Sequence, residues 1–215
     1  MRESKKHKKE RMEVCIEILN TEYPDAFCAL HYSTPFQLLI ATILSAQCTD
    51  ERVNKVTPIL FDEYPDAFTM SKADIQDIEH IIHSTGFFKA KAKNIVQCAK
   101  DIVTKYNGEV PQTMEQLYGL PGVGRKTANV VLGNAFGINE GVTVDTHVTR
   151  IMNLMKFVAT KDAVKIEMDL IQLIPQVEWT NFTHRIIEHG RKICIARRPK
   201  CSDCKLSNIC PSTFA

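Results

Sequence analysis

Apolar side chains recur every three or four positions along most of the chain, a spacing that predicts helices with one buried face. Residues 35–46 are apolar nearly all round, with Thr34 as an N-cap and Pro35 at the first helical position, so we expect a helix in the middle of the core. Strand patterns are scarce, and residues 141–144 are the one short candidate. The fold class is therefore predicted to be all-α. Further helices are expected around residues 12–19, 53–60, 75–82, 89–106, 114–120, 125–136, 145–156, 162–174 and 179–193.

Turn signals separate these segments. Ser71 precedes the isoleucine stripe of residues 75–82 and is the predicted N-cap of that helix, while Thr113 with Gln116 has capping-box spacing. The hexapeptide EYPDAF occurs at residues 22–27 and again at 63–68. There is no third copy and the flanking residues differ, so we expect two similar helix-ending turns and no repeat architecture.

Length and composition set the class of protein. The 215 residues are 44% apolar, which is enough for one large domain or two small ones with a real core. No apolar run approaches the roughly 18 to 20 residues that span a bilayer, and none of signal-peptide length follows the basic N-terminus. We therefore expect no membrane association and a cytoplasmic location.

The charges are unevenly spread although the net charge is only +2. Residues 1–11 hold six Lys/Arg against two Glu, and residues 185–205 hold seven Lys/Arg against two acids. These two segments sum to +9 and leave −7 for the rest of the chain. Such asymmetry favours a polyanionic partner.

Residues 120–128, LPGVGRKTA, place a proline and two glycines directly before a predicted helix. The segment differs from a phosphate-binding P-loop because Arg125 separates Gly124 from Lys126 and no apolar strand precedes it. A helix, a tight hairpin and a second helix fit better. Glycines bring the backbone close to a ligand, and the N–H groups that open the second helix attract phosphate without selecting a base sequence.

The eight cysteines fall into two groups. Cys15, Cys28, Cys48 and Cys98 are scattered among apolar residues, and we expect them to be buried free thiols. The other four, Cys194, Cys201, Cys204 and Cys210, lie within 17 residues, a density that predicts tetrahedral zinc or a 4Fe-4S cluster. The spacing alone does not separate these two. The cations between the first two of these cysteines, Arg197, Arg198 and Lys200, would be presented to the phosphates of a polyanion by a loop pinned at both ends.

Taken together, LPGVGRKTA, the VDTH sequence at residues 144–147 and the C-x6-C-x2-C-x5-C spacing resemble the endonuclease III family of the helix-hairpin-helix DNA glycosylase superfamily. The resemblance covers residues 12–210, and the motifs are specific as a set. It implies a bifunctional DNA glycosylase and abasic-site lyase of base-excision repair that acts on oxidised pyrimidines in double-stranded DNA. It also implies that the four terminal cysteines hold a 4Fe-4S cluster.

The same resemblance assigns the catalytic pair to Lys126 and Asp145. A lysine attacks carbon only as the free amine, and the neighbouring Arg125 together with the positive helix end favours loss of its proton. Without the resemblance, Lys126 would be interpreted as a surface or phosphate-binding lysine and Asp145 as the N-cap of the next helix. The expected phosphate contacts of the hairpin are Gly122, Val123, Gly124, Arg125 and Thr127.

Two further positions follow from the resemblance, because a flipped nucleotide leaves a gap in the duplex that a side chain must fill. Gln47 and Phe87 align with the residues that do this in the family, where leucine is usual at the second position. Phenylalanine is a departure that still allows stacking on a base, and either Phe87 or Phe88 meets the description. Lys89, Lys91 and Lys93 follow at spacings that suit backbone phosphates.

The resemblance also implies a two-lobed, monomeric architecture. Residues 27–138 would form a helical barrel with the helix-hairpin-helix at about 113–136, and residues 1–26 would join 139–215 in the iron–sulfur domain, with the cluster loop at 194–210. We expect the active site in the cleft between the lobes. Alternatives are a monofunctional adenine-type glycosylase, a non-catalytic hairpin DNA-binding protein and an iron–sulfur electron carrier.

Overall fold

The structure, a computed structural model, describes residues 3–213. Within that range the chain forms eleven α-helices and no β-strand, which confirms the predicted all-α class. The helices are α1 Lys5–Glu22, α2 Pro35–Leu44, α3 Asp50–Glu63, α4 Ala67–Met70, α5 Ile75–Ile82, α6 Phe88–Tyr106, α7 Met114–Tyr118, α8 Arg125–Phe136, α9 Thr146–Leu154, α10 Ala163–Leu170 and α11 Trp179–Lys192. None of these helices combines the length and the apolar character needed to cross a membrane.

The chain divides into two compact units. Helices α2 to α8 belong to the unit Cys28–Glu140, and α1 joins α9 to α11 in the unit made of Met1–Phe27 and Gly141–Ala215. Each unit has its own apolar core.

Helix α2 is the centre of the unit Cys28–Glu140. Its first turn begins with Pro35, and the hydroxyl of Thr34 accepts the Gln37 backbone N–H at 3.2 Å, which caps the helix as predicted. Every side chain from Leu38 to Leu44 is buried, because α3, α6 and α8 all pack on α2. Apolar residues on all faces are therefore explained by burial on all faces.

In the other unit, α11 packs against α1 and α9. The basic N-terminal segment contributes to this packing. The Arg11 guanidinium lies over the Phe157 ring at 4.1 Å and donates to the Met155 carbonyl at 2.8 Å, while Lys8 Nζ donates to the Phe157 carbonyl at 3.2 Å. Lys8 and Arg11 therefore have structural contacts inside the unit, which a simple count of basic residues does not reveal.

Helix ends confirm some turn predictions and correct others. Both EYPDAF copies end a helix in the same way, because the N–H of Tyr23 bonds to Leu19 and that of Tyr64 bonds to Leu60. The predicted cap at Ser71 is wrong: Ser71 ends the short helix α4, and Asp74 caps α5 by accepting the Gln76 N–H at 2.8 Å.

The candidate strand at residues 141–144 is also wrong. The segment is buried, but it forms no strand, and no strand within residues 3–213 pairs with it. Instead, the Thr183 hydroxyl of α11 donates to the Thr143 carbonyl at 3.1 Å. A side chain thus satisfies a carbonyl that a sheet would otherwise pair.

Candidate functional site

The hairpin between α7 and α8 requires glycine at one position for two reasons. Gly122 has φ +78°, a left-handed conformation that other residues adopt at a cost. A Cβ built on it would lie 3.1 Å from Asn94 Cβ and 3.2 Å from Ile43 Cγ2, so the turn also packs closely on α6 and α2. Val123 is buried and its N–H donates to the Leu120 carbonyl at 3.1 Å. Its side chain therefore anchors the hairpin, and the DNA contact predicted for Val123 stays a prediction.

Helix α8 begins at a glycine that leaves its N-terminus accessible. Gly124 is the N-cap, has extended backbone and supplies no side chain to the first turn, and a Cβ built on it would meet no atom within 4 Å. Lys126 is exposed in that first turn, between the partly exposed Arg125 and Thr127. The first turn contains no acidic residue, so its backbone dipoles and the two cations act together to attract an anion.

Asp145 is the N-cap of α9, and its Oδ1 accepts the Val148 N–H at 2.8 Å. The two residues before it, Thr143 and Val144, are buried, which fixes where the carboxylate emerges. Asp145 itself is partly exposed. The capping role expected from its position is therefore confirmed.

The start of α9 is held close to α11 at Gly190. A Cβ on Gly190 would lie 2.5 Å from His147 Nδ1, so only glycine lets the two helices approach this closely. Arg150, one turn further along α9, donates through Nη1 to the Cys194 carbonyl at 2.6 Å. The segment that carries Asp145 is thus connected directly to the first cysteine of the terminal group.

Gln47 and Phe87 share an unusual backbone conformation. Their φ angles are +52° and +50°, and among the non-glycine residues of the described chain only Asn107 and Lys156 also have positive φ. Asn107 ends α6, and Lys156 follows α9. Gln47 is exposed shortly after α2, and Phe87 is exposed directly before α6. Left-handed conformation in non-glycine residues with exposed side chains indicates a functional constraint.

The structure separates Phe87 from Phe88. Phe87 is 68% exposed, whereas Phe88 packs against the core and its ring centroid lies 4.4 Å from that of His83. Phe87 is therefore the phenylalanine available to another molecule. Lys91, expected as a phosphate contact, is buried, and its Nζ donates to the carbonyls of Leu44 and Thr85. The expectation is wrong for this lysine.

The four terminal cysteines line one cavity, whose other walls are largely apolar side chains of α9 and of the segment after α11. All four are partly buried free thiols. Burial raises the pKa of the Cys194 and Cys204 thiols, and the hydrogen bond from Arg150 opposes this at Cys194. The earlier cysteines differ as expected, with Cys15, Cys28 and Cys98 buried and Cys48 partly buried.

Two nitrogen-bearing side chains lie beside these sulfurs. Arg150 Nη1 donates to Cys194 Sγ at 3.5 Å, and His189 Nε2 lies 3.8 Å from Cys204 Sγ. Burial, with a contribution from Arg150, lowers the pKa of His189 to about 4, so the ring is neutral at pH 7. The Tyr23 hydroxyl lies 3.0 Å from His189 Nδ1, so the two ring nitrogens face a hydroxyl and a sulfur.

In residues 3–213 no three His, Cys, Asp or Glu side chains are grouped so that they could hold a single metal ion. Zinc needs its ligands about 2.0–2.3 Å from one point. The four cysteines that line one cavity are soft donors of the kind that both zinc and an iron–sulfur cluster take.

Arg197, Arg198 and Lys200 are exposed on the loop between Cys194 and Cys201. The loop is closed at its base because the Lys200 N–H donates to the Ile193 carbonyl at 2.9 Å. Three cations therefore project from a short segment held at both ends.

Comparison with known proteins identifies the family. The HhH-GPD superfamily of base excision DNA repair proteins matches residues 40–176. Endonuclease III of Synechocystis is 57% identical over 208 residues, which cover 97% of this chain and 95% of that protein. The chain belongs to the endonuclease III family. Endonuclease III of Escherichia coli K12 is 38% identical, over 95% of this chain and 96% of that protein.

Solved structures agree with this assignment. A non-covalent endonuclease III–DNA complex matches with a TM-score of 0.90 and 41% identity, covering 95% of this chain and 96% of that one. A thermostable thymine-DNA glycosylase shares the fold with a TM-score of 0.84 at 24% identity. As a member of the endonuclease III family, the chain is a DNA glycosylase with abasic-site lyase activity in base excision repair.

Some residues around the endonuclease III motifs carried no usable signal in the sequence. Lys91 is one of three alternating lysines, and nothing in that pattern marks it as buried. Arg150 and His189 lie on helices distant in sequence from the cysteines that they contact, by 44 and 15 residues. Their roles depend on how helices pack, which local spacing does not encode.

Proposed function

We propose that this endonuclease III-family protein releases oxidised pyrimidines from double-stranded DNA and then cuts the strand on the 3′ side through a Schiff base on Lys126. The observation that carries the proposal is the exposed Lys126 amine in the first turn of α8, where Gly124 leaves the helix N-terminus accessible. Support also comes from a relative of 41% identity whose structure is that of a trapped endonuclease III–DNA covalent intermediate.

Lys126 is the nucleophile in this proposal. Its free amine attacks C1′ of the flipped deoxyribose, the C1′–N bond to the base breaks, and the base leaves with a proton. The sugar ring then opens to give a protonated Schiff base between C1′ and Nζ. This cation acidifies the C2′ hydrogen, and its removal expels the 3′ phosphate by β-elimination. Water finally hydrolyses the Schiff base and regenerates the lysine.

Asp145 supplies a carboxylate to the same reaction. Positive charge develops on the sugar as the base departs, and a nearby anion stabilises it. The N-cap geometry supports this role because it fixes the orientation of the carboxylate through Oδ1. The same group then assists the proton transfers at the sugar.

Gln47 and Phe87 fill the space that the flipped nucleotide vacates. A flat aromatic ring stacks on base faces without regard to sequence, and an amide hydrogen-bonds to the unpaired base. Exposure of both side chains at left-handed positions supports this assignment.

Backbone phosphates are bound at two places. The first is the hairpin, through the backbone at Gly122, Gly124 and Thr127 and the side chain of Arg125. The second is the cysteine loop, through Arg197, Arg198 and Lys200. Exposed cations on a loop closed at its base support the second assignment.

A 4Fe-4S cluster is held by Cys194, Cys201, Cys204 and Cys210. The four thiols around one largely apolar cavity, with the side chains of Arg150 and His189 beside two of the sulfurs, support this ligand set. When bound, the cluster supplies iron–thiolate bonds that fix the loop, a structural role that needs no redox change.

The test is a duplex with one thymine glycol, incubated with the wild type, Lys126→Gln and the matched control Lys100→Gln, which alters an exposed lysine of α6. Base release and strand cleavage are measured separately on the same samples. We expect both products from the wild type and the control, and no strand cleavage from Lys126→Gln. Full strand cleavage by Lys126→Gln would contradict the proposal, and base release without cleavage by the wild type would favour a monofunctional glycosylase.

A further inference from the structure

Lys91 is a buried cation that joins two segments of the unit Cys28–Glu140. The residue is only 5% exposed, and its Nζ donates to the Leu44 carbonyl and to the Thr85 carbonyl, both at 2.8 Å. Leu44 is the last residue of α2, and Thr85 lies in the turn before α6. One ammonium group therefore holds together two pieces of backbone that are 41 residues apart.

Each of these carbonyls lies just before a residue of the proposed gap-filling pair. Leu44 precedes Gln47 by three positions, and Thr85 precedes Phe87 by two. Both Gln47 and Phe87 adopt the left-handed conformation, and both are exposed. The lysine thus fixes the start of each segment through a backbone carbonyl, at Leu44 and at Thr85. The side chains of Gln47 and Phe87, which follow, are exposed.

Burying a lysine at this position costs more free energy than burying an apolar side chain would. Burying an ammonium group removes its hydration, and burial accordingly lowers the pKa of Lys91. Leucine or methionine would fill similar space without that cost. A lysine here instead supplies two directional hydrogen bonds, which set a distance that apolar contacts would leave adjustable.

The segment between Thr85 and Phe87 has a backbone shape that depends on glycine. Gly86 has φ +70° and ψ 150°, a combination that residues with a Cβ essentially avoid, and a Cβ built there would meet nothing within 4 Å. The backbone conformation at Gly86, and not steric crowding, therefore requires glycine. The Thr85 anchor on one side and the left-handed Phe87 on the other define the direction in which the ring projects.

We propose that Lys91 is a positioning residue for lesion recognition: its two hydrogen bonds set the separation of the Gln47 and Phe87 segments so that both side chains enter the same gap in the duplex. This inference rests on the gap-filling role proposed above. Lys91 does not touch DNA and takes no part in the chemistry at Lys126.

The test is a double-mutant cycle that combines Lys91→Met with Phe87→Ala, with Lys100→Met as the matched surface control on α6. The substrate is a thymine-glycol duplex with 2-aminopurine beside the lesion, whose fluorescence rises when the neighbouring bases unstack. Single-turnover base release and the fluorescence change are recorded for each variant, and far-ultraviolet circular dichroism with urea unfolding shows that each one folds.

We expect Lys91→Met to slow unstacking and base release on the order of tenfold or more, because small misplacements of a recognition group carry large kinetic costs. In the Phe87→Ala background the same change should have a clearly smaller effect, since one of the two side chains whose separation it sets is already gone. Equal effects in both backgrounds would show that Lys91 is merely structural and would overturn the inference. An unaltered rate in Lys91→Met would do the same.

Two further arms keep the result unambiguous. If Lys91→Met does not fold, Gly86→Ala alters the same segment while retaining the lysine, and it should show the same coupling to Phe87→Ala; additivity there overturns the inference. The wild type distinguishes failure of the proposed function from failure of this inference. If the wild type releases no base, the proposed function is wrong. If the wild type is active and the effects of the two substitutions are additive, only the role of Lys91 is wrong.

Discussion

At the scale of single residues, Gly122 and Gly124 occupy the same hairpin under different constraints. Gly122 has a left-handed backbone and close neighbours, whereas Gly124 has φ −94° and open space. We expect Gly122→Ala to lower the free energy of unfolding by about 1–3 kcal/mol and Gly124→Ala to change it by less than about 0.5 kcal/mol. Urea unfolding of the two variants measures this difference, and equal losses would contradict the structural account of the turn.

Asp145 has a capping role and a proposed catalytic role, and two substitutions separate them. Asparagine caps helices well but carries no charge, so Asp145→Asn should retain stability and lose base release. Alanine removes both, so Asp145→Ala should also lower the free energy of unfolding by about 1 kcal/mol. Unfolding and single-turnover assays on both variants give the comparison. Full base release by Asp145→Asn would leave the residue as a cap alone.

The sequence predicts individual residues best where the environment is local. The Thr34 cap and the helix ends at Tyr23 and Tyr64 follow from neighbouring residues, and the structure confirms them. Lys91 could not be distinguished from Lys89 and Lys93, because one carbonyl that it binds lies 47 positions away. Long-range partners of this kind carry no periodic signature.

At the scale of elements, the positions of the helices were predictable and some of their ends were not. Burial on all faces of α2 was clear from an apolar run of helical length. The start of α5 was misplaced because Ser71 and Asp74 are both good N-caps, and the short helix α4 uses the first as its end. Residues 142–144 resembled a strand because they are β-branched, and their burial, not pairing in a sheet, accounts for that composition.

The cysteine loop is an element with its own prediction. If the loop presents cations to phosphates, replacing Arg198 and Lys200 by glutamine should weaken DNA binding for all sequences and reduce the slope of log affinity against log salt concentration by about 0.9 per contact. Lys165→Gln, on the exposed face of α10, is the control. Fluorescence anisotropy across a salt series measures the slope, and an unchanged slope would remove these residues from the interface.

Iron removal tests the same element from the other direction. If the four cysteines hold a 4Fe-4S cluster, protein freed of iron by chelation should lose affinity for duplex DNA, because the cluster no longer fixes the loop. Circular dichroism on the same sample shows whether the helices are retained. Intact affinity after loss of the iron absorbance would contradict the structural role of the cluster.

At the scale of the whole molecule, stability should depend on pH through buried histidine. Burial lowers the pKa of His184 to about 4, with a smaller contribution from Arg185. In the unfolded state the pKa of histidine is near 6.5, so below that pH the unfolded state binds the proton more readily than the folded state. The free energy of unfolding should have its full value above about pH 6.5. It should fall by about 1–3 kcal/mol as the pH decreases from about 6.5 to about 4. His184→Gln should reduce this decline in urea unfolding, and His189, whose pKa is also lowered to about 4, accounts for a remaining part; an identical decline would assign it to other groups.

The all-α class followed from periodicity, whereas the specific fold followed from a few motifs recognised as a set. Residues before Cys28 and residues after Glu140 belong to one compact unit, an association that depends on contacts far apart in sequence. The local spacing of residue types does not reveal this association. The motifs predicted the fold because each one marks a position where the structure allows few residue types. At Gly122, for example, both the backbone conformation and the close packing require glycine.

The most direct test of the central claim is borohydride trapping on a duplex that carries one thymine glycol. A Schiff base reduced by borohydride becomes a stable secondary amine, so the account predicts a covalent protein–DNA adduct with the wild type. It predicts no adduct with Lys126→Gln, and peptide mapping should place the modification on Lys126. An adduct of equal yield with Lys126→Gln, or base release by the wild type without any adduct, would contradict the assignment of Lys126 as the nucleophile.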